Sequence, residues 1–235
     1  MKLKNYVAPT VALRRLSAGE EAVIKAHIRS QRGVSQRQAR QVAEEVGNED
    51  NRYADNLPVQ LMVGEAYIDA QEFAKAEATL KRALALDAQS QEAHVMMGGL
   101  FMARAKAEKS PALYGTARRW FADAYRLDAR DPRAAIGYYL SYYEAKEPIP
   151  EPALIALESV FDYSSYDSGY RLLLARQLLD ESRGQDARSV LAPLAFSSHK
   201  QEKANKVAEI VDAIEANNIQ DARVKMASLL AEEDD

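Results

Sequence analysis

A chain of 235 residues that is 47% hydrophobic and 28% charged is long enough to bury most of its unfolded surface, as one elongated domain or two small ones. Its net charge of -4 and pI near 5.6 create no general field for a polyanion, and the absence of cysteine excludes disulfides, thiolate metal sites and a cysteine nucleophile. Gly and Pro are few, whereas Ala, Leu, Glu, Arg and Gln abound, so the composition predicts an all-α protein.

Residues 1–16 carry β-branched and Pro residues without helical period and read as an extended tail or linker. "MKLKNYVAPTVALRRL" lacks the uninterrupted apolar core of an export signal. The longest uncharged runs, "VMMGGLFMA" and "AAIGYYLSYY", are about half a membrane span. A soluble chain is expected, cytoplasmic by default and periplasmic if it is part of a longer exported protein. Ser17 with Glu20 and Ser35 with Gln38 match capping boxes that open helices 18–31 and 36–46. With the loop 47–56 they form a two-helix N-terminal cap, residues 17–56.

"HIRSQRGVSQRQARQVAEEV" also has the layout of a helix-turn-helix, with Gly33 at the turn and Arg29, Arg32, Arg37 and Arg40 as a possible basic patch. Two features oppose DNA recognition through 20–46. Arg29 stands where close helix crossing wants a small residue, and Glu44–Glu45 place negative charge at the far end. Nucleic acid is therefore not the expected partner.

From Leu57 onward a spacing recurs. Ala76 is followed by Leu80 and Ala83; the same four-and-seven offset appears as Ala117, Phe121, Ala124; Ala153, Leu157, Val160; Ala187, Leu191, Leu194; and Ala222, Met226, Leu229. The leading alanines step by 41, 36, 34 and 35 residues. Offsets of four and seven lie on one helical stripe, and a leading Ala lets another backbone come close. Each triplet therefore marks the second helix of a hairpin.

Twelve residues before the leading Ala stand Gly64, with Tyr67 three later, in the first hairpin and Ala175, with Leu178, in the fourth. In the second, Gly98 and Phe101 are displaced by 7 further residues within "AKAEKSPALYG". The third pair is looser, with Gly137 and Leu140, and the fifth has Ile210 in the small position. Asn56 before Leu57–Pro58, Ser110 before Pro111 and Asp131 before Pro132 read as N-caps with Pro in the first turn. "EPIPEP" breaks the third pair, and Gly184 and Asn217–Asn218 mark the turns of the fourth and fifth.

This pattern resembles the tetratricopeptide repeat family over about residues 57–231. The Trp usual early in the unit is absent, and Ala88 and His199 stand where Pro often closes it. The resemblance implies a right-handed superhelical solenoid of antiparallel helix pairs, over 57–90, 91–131, 132–164, 165–198 and 199–235, with first helices lining a concave face. "IRSQRGVSQRQARQVAEEV" and "RQLLDESRGQDARSVLAPLAFSSH" are further similar to bacterial proteins in which a peptidase-MA-like domain precedes such repeats. In that reading the chain is the accessory, non-catalytic half of a larger protein.

Catalysis is not expected. His27, His94 and His199 are isolated, so no metal is expected, and no phosphate-binding loop, dinucleotide fingerprint or nucleophile elbow occurs, so no cofactor is expected either. The expected function is a scaffold that binds a peptide or partner protein in a concave groove. Seven of 12 tyrosines lie between Tyr138 and Tyr170. Tyr138 and Tyr142 form one helical ladder and Tyr139 and Tyr143 another, one expected in the core and one in the groove. The competing reading makes them core aromatics with hydroxyls at the surface. Met62, Met96, Met97 and Met102 divide the same way, with core packing favoured.

First-helix faces carry Leu61, Glu65, Asp69, then Val95, Gly99 and Ala103, which suits an apolar or basic segment and repels a C-terminal carboxylate. The expected groove residues are Glu65, Asp69, Tyr139, Tyr142 and Tyr143. The last pair leaves an apolar edge, Met226, Leu229 and Leu230, through which a second copy could pack.

Overall fold

The computed structural model of the chain describes residues 55–196 and 201–233, together with Arg37. The expected tail 1–16 and almost all of the cap 17–56 lie outside the described residues. Those that are described form ten α-helices and no strand: α1 (Leu57–Asp69), α2 (Phe73–Leu86), α3 (Gln91–Glu108), α4 (Ala112–Leu127), α5 (Pro132–Tyr143), α6 (Glu151–Ser164), α7 (Ser168–Asp180), α8 (Gly184–Ala195), α9 (Gln201–Glu215) and α10 (Ile219–Glu233). None of them is long and apolar enough to cross a membrane.

The recurring triplets fall on α2, α4, α6, α8 and α10, and every member except the partly exposed Leu194 is buried. Full burial of a side chain such as Leu80 or Leu191 stabilises by about 1.5–3 kcal/mol, so the large members of this stripe contribute directly to cohesion. The small residues of the first helices have a matching cause. A Cβ on Gly64 would lie 2.6 Å from the Leu80 side chain, and one on Gly98 2.6 Å from the Phe121 ring. In both pairs the absent side chain makes room for the large middle member of the triplet.

The seven extra residues of the second pair do not disturb this register. α3 has 18 residues against 13 in α1, and α4 has 16 against 14 in α2, which accounts for the whole insertion. The extra residues extend both helices at their shared end and leave the turn between them unchanged in length.

Every pair turns by the same device. Gln71, Lys109, Lys146, Ser182 and Asn217 have positive φ, from 51 to 62°. In each case the following amide donates to the carbonyl five residues back: Glu72 to Tyr67, Ser110 to Ala105, Glu147 to Tyr142, Arg183 to Leu178 and Asn218 to Ala213. The left-handed residue itself donates three back. This double bond is the Schellman arrangement, which satisfies carbonyls that a helix end otherwise leaves open. None of the five is Gly. Gly184 is thus not the turning residue of the fourth pair; Ser182 is. Gly184 is small because a Cβ there would meet Ile219 at 2.6 Å and Ile214 at 3.3 Å.

The starts of α1, α3, α5 and α7 are capped by side chains, whereas those of α2, α4, α6 and α8 are not. Asn56 accepts from the Val59 amide, Ser90 from Ala93, Asp131 from Arg133, and Asp167 from Gly169 and Tyr170. Ser110 departs from expectation: Pro111 takes the capping position, and the Ser110 carbonyl, not its hydroxyl, receives the Leu113 amide.

Two compact units divide these helices. The first holds the described residues up to Ala129 together with Leu140–Glu147; the second holds Arg130–Tyr139 and the described residues from Pro148 onward. In the first, α1 packs on α2, α3 on α4, and α3 also on both helices of the preceding pair. In the second, α6, α7, α8, α9 and α10 pack in succession and α10 returns onto α7. Arg223 of α10 reinforces that return, donating to the Leu179 carbonyl at 2.9 and 2.7 Å, to the Asp180 carbonyl at 3.1 Å and to the Ser182 hydroxyl at 3.2 Å. A cation at the carbonyl end of α7 also opposes its dipole. The apolar edge expected at the C-terminal pair is consequently not open. Met226 and Leu229 are buried within the chain and only Leu230 remains partly exposed.

Candidate interaction surfaces

On α1, packing takes Val59, Val63, Gly64 and Tyr67. Leu61, Glu65 and Asp69 lie at successive steps of four on another stripe; the first two are partly exposed and Asp69 is exposed. The Asp69 carboxyl lies above its ordinary value, through lost hydration first and the Glu65 charge second. Because the residue remains exposed by area, the carboxylate pair one turn apart is the cause that the geometry supports best. On the corresponding face of α3, Val95 is buried, whereas Gly99 and Ala103 are partly exposed.

The tyrosines separate in a way the ladder argument does not foresee. Tyr139 is 0% exposed and its hydroxyl donates to Gln177 Oε1 at 2.7 Å; Gln177 in turn donates to Glu181 at 2.9 Å. It is a core residue of the second unit and not the groove residue that its ladder suggested. A buried phenol needs a polar partner, and α7 supplies one. Its ladder neighbour Tyr143, the last residue of α5, is 37% exposed.

Tyr142 is partly exposed, with the Arg118 guanidinium 3.5 Å from its ring centroid. Arg118 is held there by the Ser141 carbonyl at 3.2 Å, the Ser141 hydroxyl at 3.3 Å and Glu147 at 2.9 Å. The ring thus forms one face of a fixed cation–π contact that joins α4 to the end of α5 inside the first unit. Of the methionines, Met97 is buried, while Met62, Met96 and Met102 are partly exposed. Within the basic segment, Arg37 is helical and exposed, and Arg29, Arg32 and Arg40 lie outside the described residues.

One surface has no counterpart in the sequence expectations. α6 and α8 both pack on α7, and an open groove of about 500 Å³ runs between them. From α6 it is lined by Ile155, Glu158, Ser159 and Asp162, at offsets of three, four and seven. Asp186, Ser189 and Val190 of α8 form the facing wall at offsets of three and four. Leu174 and Leu178 of α7 lie between. The groove exists because small residues face each other across it: the Ser159 hydroxyl donates to the Ala156 carbonyl at 2.8 Å and that of Ser189 to the Gln185 carbonyl at 2.9 Å, so both fold back onto their own helices. A polar–apolar stripe on two successive second helices was the readable signal. It went unread because only the buried stripe of those helices carries the repeat.

Among the described residues no three His, Asp or Glu side chains converge as a metal site. No family model matches the chain, and no curated protein does. Solved structures do. The chain is similar to TTC0263, a thermophilic TPR protein of Thermus thermophilus, with a TM-score of 0.63 and 16% identity over 91% of this chain and 100% of that one. It is equally similar to PilF of Pseudomonas aeruginosa, with a TM-score of 0.63 and 16% identity over 91% of this chain and 90% of that one. The fold is therefore that of an all-α tetratricopeptide-repeat protein.

Proposed function

We propose that the chain is a non-catalytic scaffold that holds a segment of a partner protein against its first helices. The observation that carries this reading is the stripe Leu61, Glu65, Asp69 on α1, which packing leaves at least partly exposed while the second-helix stripes are consumed in the core. Two carboxylates on one face repel each other, and a partner's Lys or Arg relieves that repulsion. Exposed Tyr143, in the same unit, offers a broad contact with few rotors to immobilise.

Selection of a displayed random-peptide library on the immobilised full chain tests it. Enriched peptides should combine basic and apolar residues, and the double reversal Glu65→Lys with Asp69→Lys should weaken them by about tenfold or more. Circular dichroism should show unchanged helicity in that variant. Enriched binders indifferent to the reversal would remove α1 as the recognition surface.

A further inference from the structure

The α6–α8 groove is a second surface, walled by second helices over α7, whereas the scaffold reading uses the exposed stripe of α1. Its floor is apolar, with Leu174 and Leu178 almost wholly buried, as is Val190 on the α8 wall. Ile155, at its edge, is 57% exposed, an aliphatic side chain left in water on a helix that buries Ala153, Ala156, Leu157 and Val160 and leaves Leu154 and Phe161 partly exposed. A space of about 500 Å³ is the size that receives one or two large side chains.

The charge around it is unbalanced. Three carboxylates line the groove, Glu158, Asp162 and Asp186, against one guanidinium, Arg183. Arg183 is shared among Glu158 at 2.7 Å, Asp186 at 2.8 Å and Glu181 at 3.1 Å, at one end. Asp162, further along α6, has no cationic partner among the described residues. The nearby Arg171 turns inward, donating to the Val190 carbonyl at 2.8 Å and stacking 5.0 Å from the Phe161 ring. One of its N–H groups is thus directed at the wall. An apolar floor with a net negative rim is complementary to one chemistry.

We infer that the α6–α8 groove docks a cationic amphipathic segment of another protein, with large apolar side chains seated over Leu174 and Leu178 and Lys or Arg groups against Asp162 and the Glu158–Asp186 end. An anionic segment meets repulsion from the rim, and a wholly polar one leaves Ile155 in water. The binding weakens as salt screens the exposed rim charges.

The test uses the full chain and a fluorescein-labelled synthetic amphipathic helix of Leu and Lys, with a twin carrying Glu for every Lys, read by anisotropy at low and high salt. The Lys peptide should bind and the Glu twin should not. Ser159→Trp, which fills the groove, and Asp162→Lys, an exposed change that leaves packing untouched, should each weaken binding by about tenfold. The variant Glu65→Lys with Asp69→Lys should retain it within about twofold, since that pair lies on α1. Binding indifferent to both groove variants overturns the inference. So does loss in the α1 variant alone, which would transfer the peptide to the first-helix surface, or a protein self-association abolished by Ser159→Trp, which would make a second copy the occupant.

Discussion

Gly98 and Gly99 stand side by side on α3 and mean opposite things. A Cβ at position 98 would touch three atoms of the buried Phe121 ring at 2.6–2.7 Å, whereas one at 99 has nothing within 4 Å. A flat ring held in a core cannot rotate away from an added methyl as a flexible chain end can, so overpacking there costs about 1–3 kcal/mol. At 99 the substitution only removes glycine's entropic penalty in a helix, about 0.5–1 kcal/mol. Urea unfolding should accordingly show Gly98→Ala destabilised and Gly99→Ala stabilised. Equal effects would mean that the Gly98–Phe121 approach does not set the spacing of this pair. At this scale the sequence told much: Gly64 and Gly98 were legible as small positions because each sits a set number of residues from its helix start and three before a large side chain. Tyr139 was not legible. Its fate depended on Gln177, 38 residues away, and no local period reports whether a distant helix offers a buried acceptor.

The helix pair was the most legible element, because its period is written in apolar residues that water expels. Asn217 was read correctly as the turn of the fifth pair, but the turning residues of the other four were not, and for a physical reason. Sequence reasoning looks for Gly or Asn where the chain goes left-handed, yet Gln71, Lys109, Lys146 and Ser182 adopt that conformation without either advantage. The two Schellman hydrogen bonds and the packing of the flanking helices hold them there. Non-glycine residues lose about 1–2 kcal/mol in that region, partly recovered when Gly replaces them because Gly is also freer when unfolded. Gln71→Gly and Lys109→Gly should therefore each stabilise the chain by about 1 kcal/mol, and Asn217→Gly by a smaller amount, since Asn already tolerates the conformation. Denaturant midpoints measure all three. A loss of stability in the first two would show that side-chain contacts of Gln71 and Lys109 outweigh their backbone strain.

For the whole molecule, the charge decides between classes of partner. A chain with 35 acidic and 31 basic side chains has no net attraction for a polyphosphate, and any DNA affinity must come from a local cluster strong enough to overcome that background. The cluster available is the arginine-rich segment with Arg29, Arg32, Arg37 and Arg40. Across the described residues, by contrast, basic side chains are repeatedly spent on acidic neighbours: Arg118 on Glu147, Arg183 on Glu158, Arg188 on Glu215 and Lys106 on Glu144. Such pairs contribute little stability individually, but they remove the isolated cations that would track a phosphate backbone. Four arginines would release few counterions, so even a real contact would fade within a modest rise in salt. Electrophoretic mobility of a random duplex should be unchanged by the protein at low ionic strength. A shift that disappears with added salt and with the Arg37→Glu, Arg40→Glu pair would instead establish the basic segment as a nucleic-acid contact and displace the protein-scaffold reading.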